Sequence, residues 1–198
     1  SGHGPLRLLG GLVLSSSDER FGGYSGLAVD PETGALLLIS DYGFWASARV
    51  RRDAGGRLAG LDDFQTGRLT GAAGQPLAGK QSGDAESVRF DGPGRVLVSF
   101  ESDHRIDAFD VTRPGGLVRV VGPAHRIEAP RDFGSLDPNS GIETLVVLDR
   151  PGPPREDGSR ADADLLAIAE AGPGAAPGTP AWFRSKGRWI EVHYSPRT

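Results

Sequence analysis

The 198-residue chain has no cysteine and no methionine, only two lysines (Lys80 and Lys186) and a single asparagine, Asn139. Without cysteine there are no disulfides, no thiolate metal sites and no cysteine nucleophile. With four histidines as the remaining nitrogen donors, a structural zinc is not expected. Apolar runs are strand-sized, such as Ala35 to Ile39, far short of the roughly 18 residues of a membrane-spanning helix. An excess of positive charge is also missing, since the formal net charge is -4 and the pI near 5.6, the wrong sign for neutralising a phosphate backbone. Neither a nucleic-acid partner nor a membrane span is therefore expected. The chain opens Ser1-Gly2-His3-Gly4 rather than with methionine, which reads as a processed product whose residues 1–8 form a lead-in after a removed targeting segment. The near-exclusive use of arginine over lysine fits a GC-rich bacterial source.

Glycine and proline are abundant instead, with 30 and 15 copies spread along the chain. Punctuation that dense breaks long helices and favours short strands joined by turns, which sets aside helical bundles and coiled coils. A hydrophobic fraction of 37% over 198 residues suits a single domain, residues 1–198.

One pattern occurs three times: a short strand, a Gly or Pro turn, and a second strand ending in an acid. The first copy runs Tyr24 to Val29, turns at Pro31-Glu32-Thr33-Gly34 and returns through Ala35 to Ser40, ending at Asp41. The second runs Ala85 to Phe90, turns at Asp91-Gly92-Pro93-Gly94 and returns through Arg95 to Phe100, ending at Glu101. The third runs Ile142 to Val147 and returns through Leu165 to Ala169, ending at Glu170, with a polar insert over Pro151 to Gly158. Ser25, Glu86 and Glu143 hold equivalent places 61 and 57 residues apart, a period that four-stranded propeller blades with generous loops produce. Outer strands are expected over Ala48 to Arg52, Arg105 to Val111, Ala181 to Phe183 and Arg188 to Tyr194.

Three hairpins alone would also fit a sandwich or an open sheet, and the recurring acid favours the propeller. The expected fold is all-β, a β-propeller of four-stranded antiparallel blades. About three blades are present, and the ring is incomplete because propellers close with ~4 to 8. Antiparallel pairing should set Glu86 across from Glu101, Glu143 from Glu170 and Ser25 from Asp41, gathering all six at one end. Opposed like charges are destabilising and call for a cation or for arginines. Carboxylates are hard oxygen ligands that suit calcium or magnesium. The expected metal set is Asp41, Glu86, Glu101, Glu143 and Glu170, with Ca2+ as the cofactor. Any one of these acids has an ordinary explanation as a solvated strand end or an arginine's partner, so the argument rests on recurrence.

The segments Phe21-Gly22-Gly23-Tyr24-Ser25-Gly26-Leu27, Ser40-Asp41-Tyr42-Gly43, Gly83-Asp84-Ala85-Glu86-Ser87, Phe100-Glu101 and Asn139-Ser140-Gly141-Ile142-Glu143-Thr144 follow one another on this repeat. Together the chain resembles the phytase-like domain of bacteria, described as "esterase-like activity of phytase". Family members carry a G-G-x-S-G-L opening, an S-D-x-G strand end, a D-x-E segment and an N-x-G-x-E segment. The resemblance runs from about Leu9 onward and implies a β-propeller, a periplasmic or secreted location, and phosphoesterase or esterase activity. It also implies a domain longer than this chain, so that closing blades are missing. Ser87 and Thr144 depart from the family, which often has glycine after each glutamate.

If a phosphoric ester is the substrate, Glu86, Glu143 and His104 are the candidate catalytic groups. Arg105 and Arg89 are then the candidates to hold phosphate, because guanidinium matches its oxygens bidentately. Ser25 lacks the glycine two residues on that a nucleophile elbow needs, and no triad partners can be assigned. Gly71-Ala72-Ala73-Gly74 lacks the Lys-Ser or Lys-Thr of a phosphate loop, and Gly172 to Gly178 reads as a flexible connector. A rival from another class is a non-catalytic propeller with a structural calcium and a face for a ligand or protein partner.

Overall fold

In the computed structural model, residues 8–148, 164–170 and 179–194 are described and form twelve strands in three four-stranded antiparallel sheets. Residues 1–7 of the lead-in, the Pro151–Gly158 insert and the Gly172–Gly178 connector lie outside the described residues. The first sheet is β1 (Tyr24–Val29), β2 (Leu36–Ser40), β3 (Phe44–Arg52) and β4 (Leu58–Arg68), in that order. After a single helical turn, α1 (Gly79–Gly83), come β5 (Ala85–Phe90), β6 (Arg95–Phe100), β7 (Arg105–Thr112) and β8 (Arg119–Ile127). The third sheet holds β9 (Ile142–Leu148), β10 (Asp164–Ala169), β11 (Thr179–Ser185) and β12 (Arg188–Tyr194).

Each sheet is an up-and-down meander, so its first strand lies at one edge and its fourth at the other. The first strands contact one another, β1 against β5 and β5 against β9, which is the arrangement of successive propeller blades around an axis. These are three blades of an open propeller.

Strand alternation decides where each core lies. Val96, Val98, Phe100, Phe109 and Val111 point from the second blade towards the first, meeting Ala28, Leu37, Ile39 and Trp45. The intervening Leu97, Ile106 and Ala108 point the other way and meet Ile142, Leu145, Leu165, Ala167 and Trp182 of the third blade. The middle sheet is thus buried on both faces, which is why β6 reads Val-Leu-Val without a polar break. The outer blades each keep an open face, where Leu27 and Val29 on β1 and Ile190 and Val192 on β12 are exposed.

Polar links tie the blades where the cores end. The buried Ser99 hydroxyl donates to the Ile142 carbonyl at 2.7 Å, and Arg89 Nε donates to the Leu145 carbonyl at 2.9 Å. Between the first two blades, Arg113 grips the fully buried Asp30 carboxylate through Nε and Nη2, both at 2.8 Å.

Candidate cation-binding mouth

The three hairpins share an irregularity that alternation does not reveal. In the first, Tyr24 pairs with Ser40 and Gly26 with Ile39, leaving Ser25 outside the register. The second pairs Ala85 with Phe100 and Ser87 with Ser99, leaving out Glu86, and the third pairs Ile142 with Ala169 and Thr144 with Ile168, leaving out Glu143. Each is a β-bulge, a device that re-aims one side chain and interrupts the ladder. The expectation that Glu86 faces Glu101, Glu143 faces Glu170 and Ser25 faces Asp41 directly across a regular ladder is corrected accordingly. The bulge spares each blade the direct opposition of two carboxylates, which a regular ladder would impose.

The acid after each second strand is held in the same way in all three blades. Asp41 N–H donates to the Gly23 carbonyl at 2.9 Å, Glu101 N–H to Asp84 at 2.7 Å and Glu170 N–H to Gly141 at 3.0 Å. Each acceptor stands two residues before the bulge. Gly141 also donates its N–H to Glu101 Oε1 at 3.0 Å, so the third blade orients an acid of the second. A Cβ at Gly141 would lie 2.9 Å from the Glu101 Cβ, which explains the glycine there. Gly83 meets a similar limit, since a Cβ would come within 2.8 Å of the Gly43 backbone, and this close approach seats the following Asp84 between two blades.

The result is two linked carboxylate trios. Asp84, Glu86 and Glu101 form one, and Glu101, Glu143 and Glu170 the other, the ligand oxygens within each trio lying within 4.8 Å of one another. Four of the five expected metal residues come together here, and Asp84 joins them. Spacing in the sequence points to Asp84 as well, because it precedes Glu86 by two in the D-x-E segment, one residue ahead of the β5 hairpin. Asp41 belongs to neither trio. Its Oδ2 lies 3.5 Å from Lys80 Nζ, which is also 3.8 Å from Asp84 Oδ1. In the blade where serine occupies the bulge, a lysine ammonium thus accompanies the strand-end acid.

The electrostatics follow from this crowding. Burial pushes the Glu86 carboxyl up to about 7, helped by the charges of Glu143, Glu101 and Asp84 and opposed by Lys80. Glu143 is raised as well, first by partial burial and then by Glu170, Glu101 and Asp84. Asp84 and Asp41 in turn hold the Lys80 ammonium protonated beyond its ordinary range. Asp84 is 3% exposed, with Oδ2 receiving the Ser102 hydroxyl at 3.1 Å and Oδ1 buried without a hydrogen-bond donor. A buried carboxylate oxygen without a donor, beside acids that destabilise one another's charge, fits a bound cation, and an all-oxygen donor set fits a hard one.

The remaining candidates are placed differently. His104 sits on the turn after Glu101, with Nε2 3.1 Å from the Asp137 carbonyl and Nδ1 buried without a partner. Arg105 is 2% exposed, lies over the Phe100 ring at 3.7 Å and donates to Asp107 Oδ2, Asp103 and the Ser82 carbonyl. Arg89 reaches across to the third blade as described. Both guanidinium groups therefore serve the frame around the mouth.

Four-stranded blades around an axis, with acids re-aimed by equivalent bulges at one end, define a propeller with an acidic mouth. The chain belongs to the phytase-like family, described as "esterase-like activity of phytase", whose family model matches residues 19–193. No curated protein and no solved structure matches it.

Proposed function

We propose that the mouth holds calcium through Asp84, Glu86, Glu101, Glu143 and Glu170, and that the protein hydrolyses esters, phosphoric esters foremost, at that site. The observation that carries this reading is the pair of trios joined at Glu101, completed by the donorless buried oxygen of Asp84. When bound, the cation would neutralise the acids and polarise ester oxygens. The chain's own part is positional: Gly141 N–H fixes Glu101, Ser102 fixes Asp84, and Glu86 and Glu143, each left out of its ladder by a bulge, stand in the two trios that share Glu101. His104, on the turn after Glu101, is the proposed proton carrier, from its place beside the acids and the imidazole's capacity to exchange a proton near neutral pH. A small-molecule substrate and a periplasmic or secreted location complete the proposal, both drawn from the family. Among the described residues no helix is long and apolar enough to cross a membrane.

A second reading is a non-catalytic propeller with a structural calcium, favoured by the engagement of Arg105 with Asp103, Asp107 and Ser82 rather than with open space. One experiment separates the two. Calcium should raise the melting temperature and a chelator lower it, while Glu143→Gln should abolish hydrolysis of a phosphomonoester panel in the presence of calcium. Loss of stability with no hydrolysis in the wild type selects the structural reading. Indifference of the melting temperature to calcium and chelator rules out both.

A further inference from the structure

A second recess lies beside the mouth on the first blade and is lined by a different chemistry. Its walls come from Phe21 and Gly22 ahead of β1, Tyr42 after β2, Phe44 at the start of β3, Arg68 at the end of β4, and Gly79 on α1. Its volume is about 620 Å³, within the range of sites that enclose small organic molecules. Three of the eleven lining residues are aromatic, Phe21, Tyr42 and Phe44. Phe21 is fixed edge-on against Tyr24 at 5.4 Å and Phe64 at 5.6 Å, while Tyr42 is 49% exposed.

Arg68 supplies the charge. Its Cζ lies over the Phe44 ring, 4.2 Å from the centroid, and Nη1 donates to the Leu77 carbonyl at 2.8 Å, so the guanidinium is anchored at one edge. Among the described residues no carboxylate forms an ion pair with it. Arg20, at the rim, is already paired with Asp18 at 2.6 Å. Glu19 also borders the recess, from an exposed position where solvent and salt screen it most strongly. Gly22 and Gly79 border open space, since a Cβ at either would meet no atom within 4 Å.

We propose that this recess binds a small aromatic anion, the ring against Phe21, Tyr42 and Phe44 and the anionic group on Arg68. A neutral ring would leave the guanidinium without a counter-charge, and an aliphatic anion would leave the aromatic walls without a ring to stack on. The inference does not depend on calcium at the mouth and is tested without it.

Phenyl phosphate and benzoate are titrated calorimetrically into the full chain in the presence of chelator. Saturable one-site binding is expected, with phenyl phosphate at least several-fold tighter than inorganic phosphate or cyclohexyl phosphate. Arg68→Gln should weaken it by about tenfold or more, the loss of one charge-assisted contact. Arg68→Lys, which keeps the charge without the planar fork, should fall between the two, and Tyr42→Leu should weaken phenyl phosphate more than inorganic phosphate. Circular dichroism verifies folding of each variant, and if Arg68→Gln does not fold, Arg68→Lys and Tyr42→Leu carry the test. Absence of saturation up to about 10 mM overturns the proposal. So does binding unchanged in Arg68→Gln, equal binding of inorganic phosphate, or loss of binding in Glu86→Gln, which would place the ligand at the mouth instead.

Discussion

Replacing Glu86 by glutamine should stabilise the calcium-free protein, although it alters a site residue. The carboxyl moves from its ordinary 4.5 to about 7 because burial and three neighbouring acids disfavour its charge. A native value above the unfolded one means that the native state binds more protons between pH 4.5 and 7. Stability is therefore highest below that window and falls as pH rises through it. The full shift corresponds to about 3 kcal/mol, and the half-solvated setting of Glu86 reduces this to ~1–2 kcal/mol. Glutamine has the same shape and no charge to penalise. Thermal melts in chelator should show Glu86→Gln equal to the wild type near pH 4 and higher by about 2–8 °C above pH 7. Saturating calcium should invert the order, because the wild type gains the larger binding free energy. A variant that melts at or below the wild type at pH 8 in chelator, or a difference that does not vary with pH, would refute the reasoning.

Other consequences are equally direct. Arg113→Ala leaves the buried Asp30 carboxylate without its partner and should cost about 3 kcal/mol in urea titrations. Burial alone would raise Asp30, but hydrogen bonds from Arg113, Thr33 and the Glu32 N–H outweigh it and hold its pKa below the ordinary value. Its contribution is thus present above the ordinary carboxylate range and lost as pH falls through its native value, so acid titration should narrow the gap between Arg113→Ala and wild type. Ser99→Ala removes the buried link to Ile142 and should cost ~1–2 kcal/mol with the mouth's acids unchanged, measured by the same titrations. Lys80→Met removes the positive charge beside Asp84 and should tighten calcium binding by about 1 kcal/mol, roughly fivefold by calorimetry; weaker binding would show that Lys80 instead holds the acids in place.

Much of this architecture is legible in the chain. The bounds read for β1, β5, β6 and β12 coincide with the strands observed, because each is a short run of strand-forming residues closed by Gly, Pro or an acid. β8 escapes such a reading because Gly122 and Pro123 fall inside it, where Gly122 takes a φ of +72° and the register with β7 shifts. The site divides in the same manner. Recurrence of an acid at a fixed offset identifies Glu86, Glu101, Glu143 and Glu170, since it depends only on sequence distance. The bulges do not show in that pattern, because one unpaired residue leaves the hydrophobic alternation on either side nearly intact. Lys80 stands four residues before Asp84, a local pairing, whereas its approach to Asp41 depends on the packing of Gly83 on Gly43, which spacing does not show.

The doubly covered middle sheet bears on how the molecule comes apart. An array in which each unit touches only its neighbours has a stability close to a sum of unit and junction contributions. The second blade takes part in both junctions, each outer blade in one. Fraying can therefore begin at β4 or β12 while the other junction persists, whereas β6 is released only when both have failed. Amide protons of Val96, Leu97 and Val98 should accordingly be the slowest to exchange with solvent, and those of the outermost strands should escape through partial openings. The acids of the mouth straddle this gradient, with Glu101 on the blade held from both sides and Glu170 on one that can open alone.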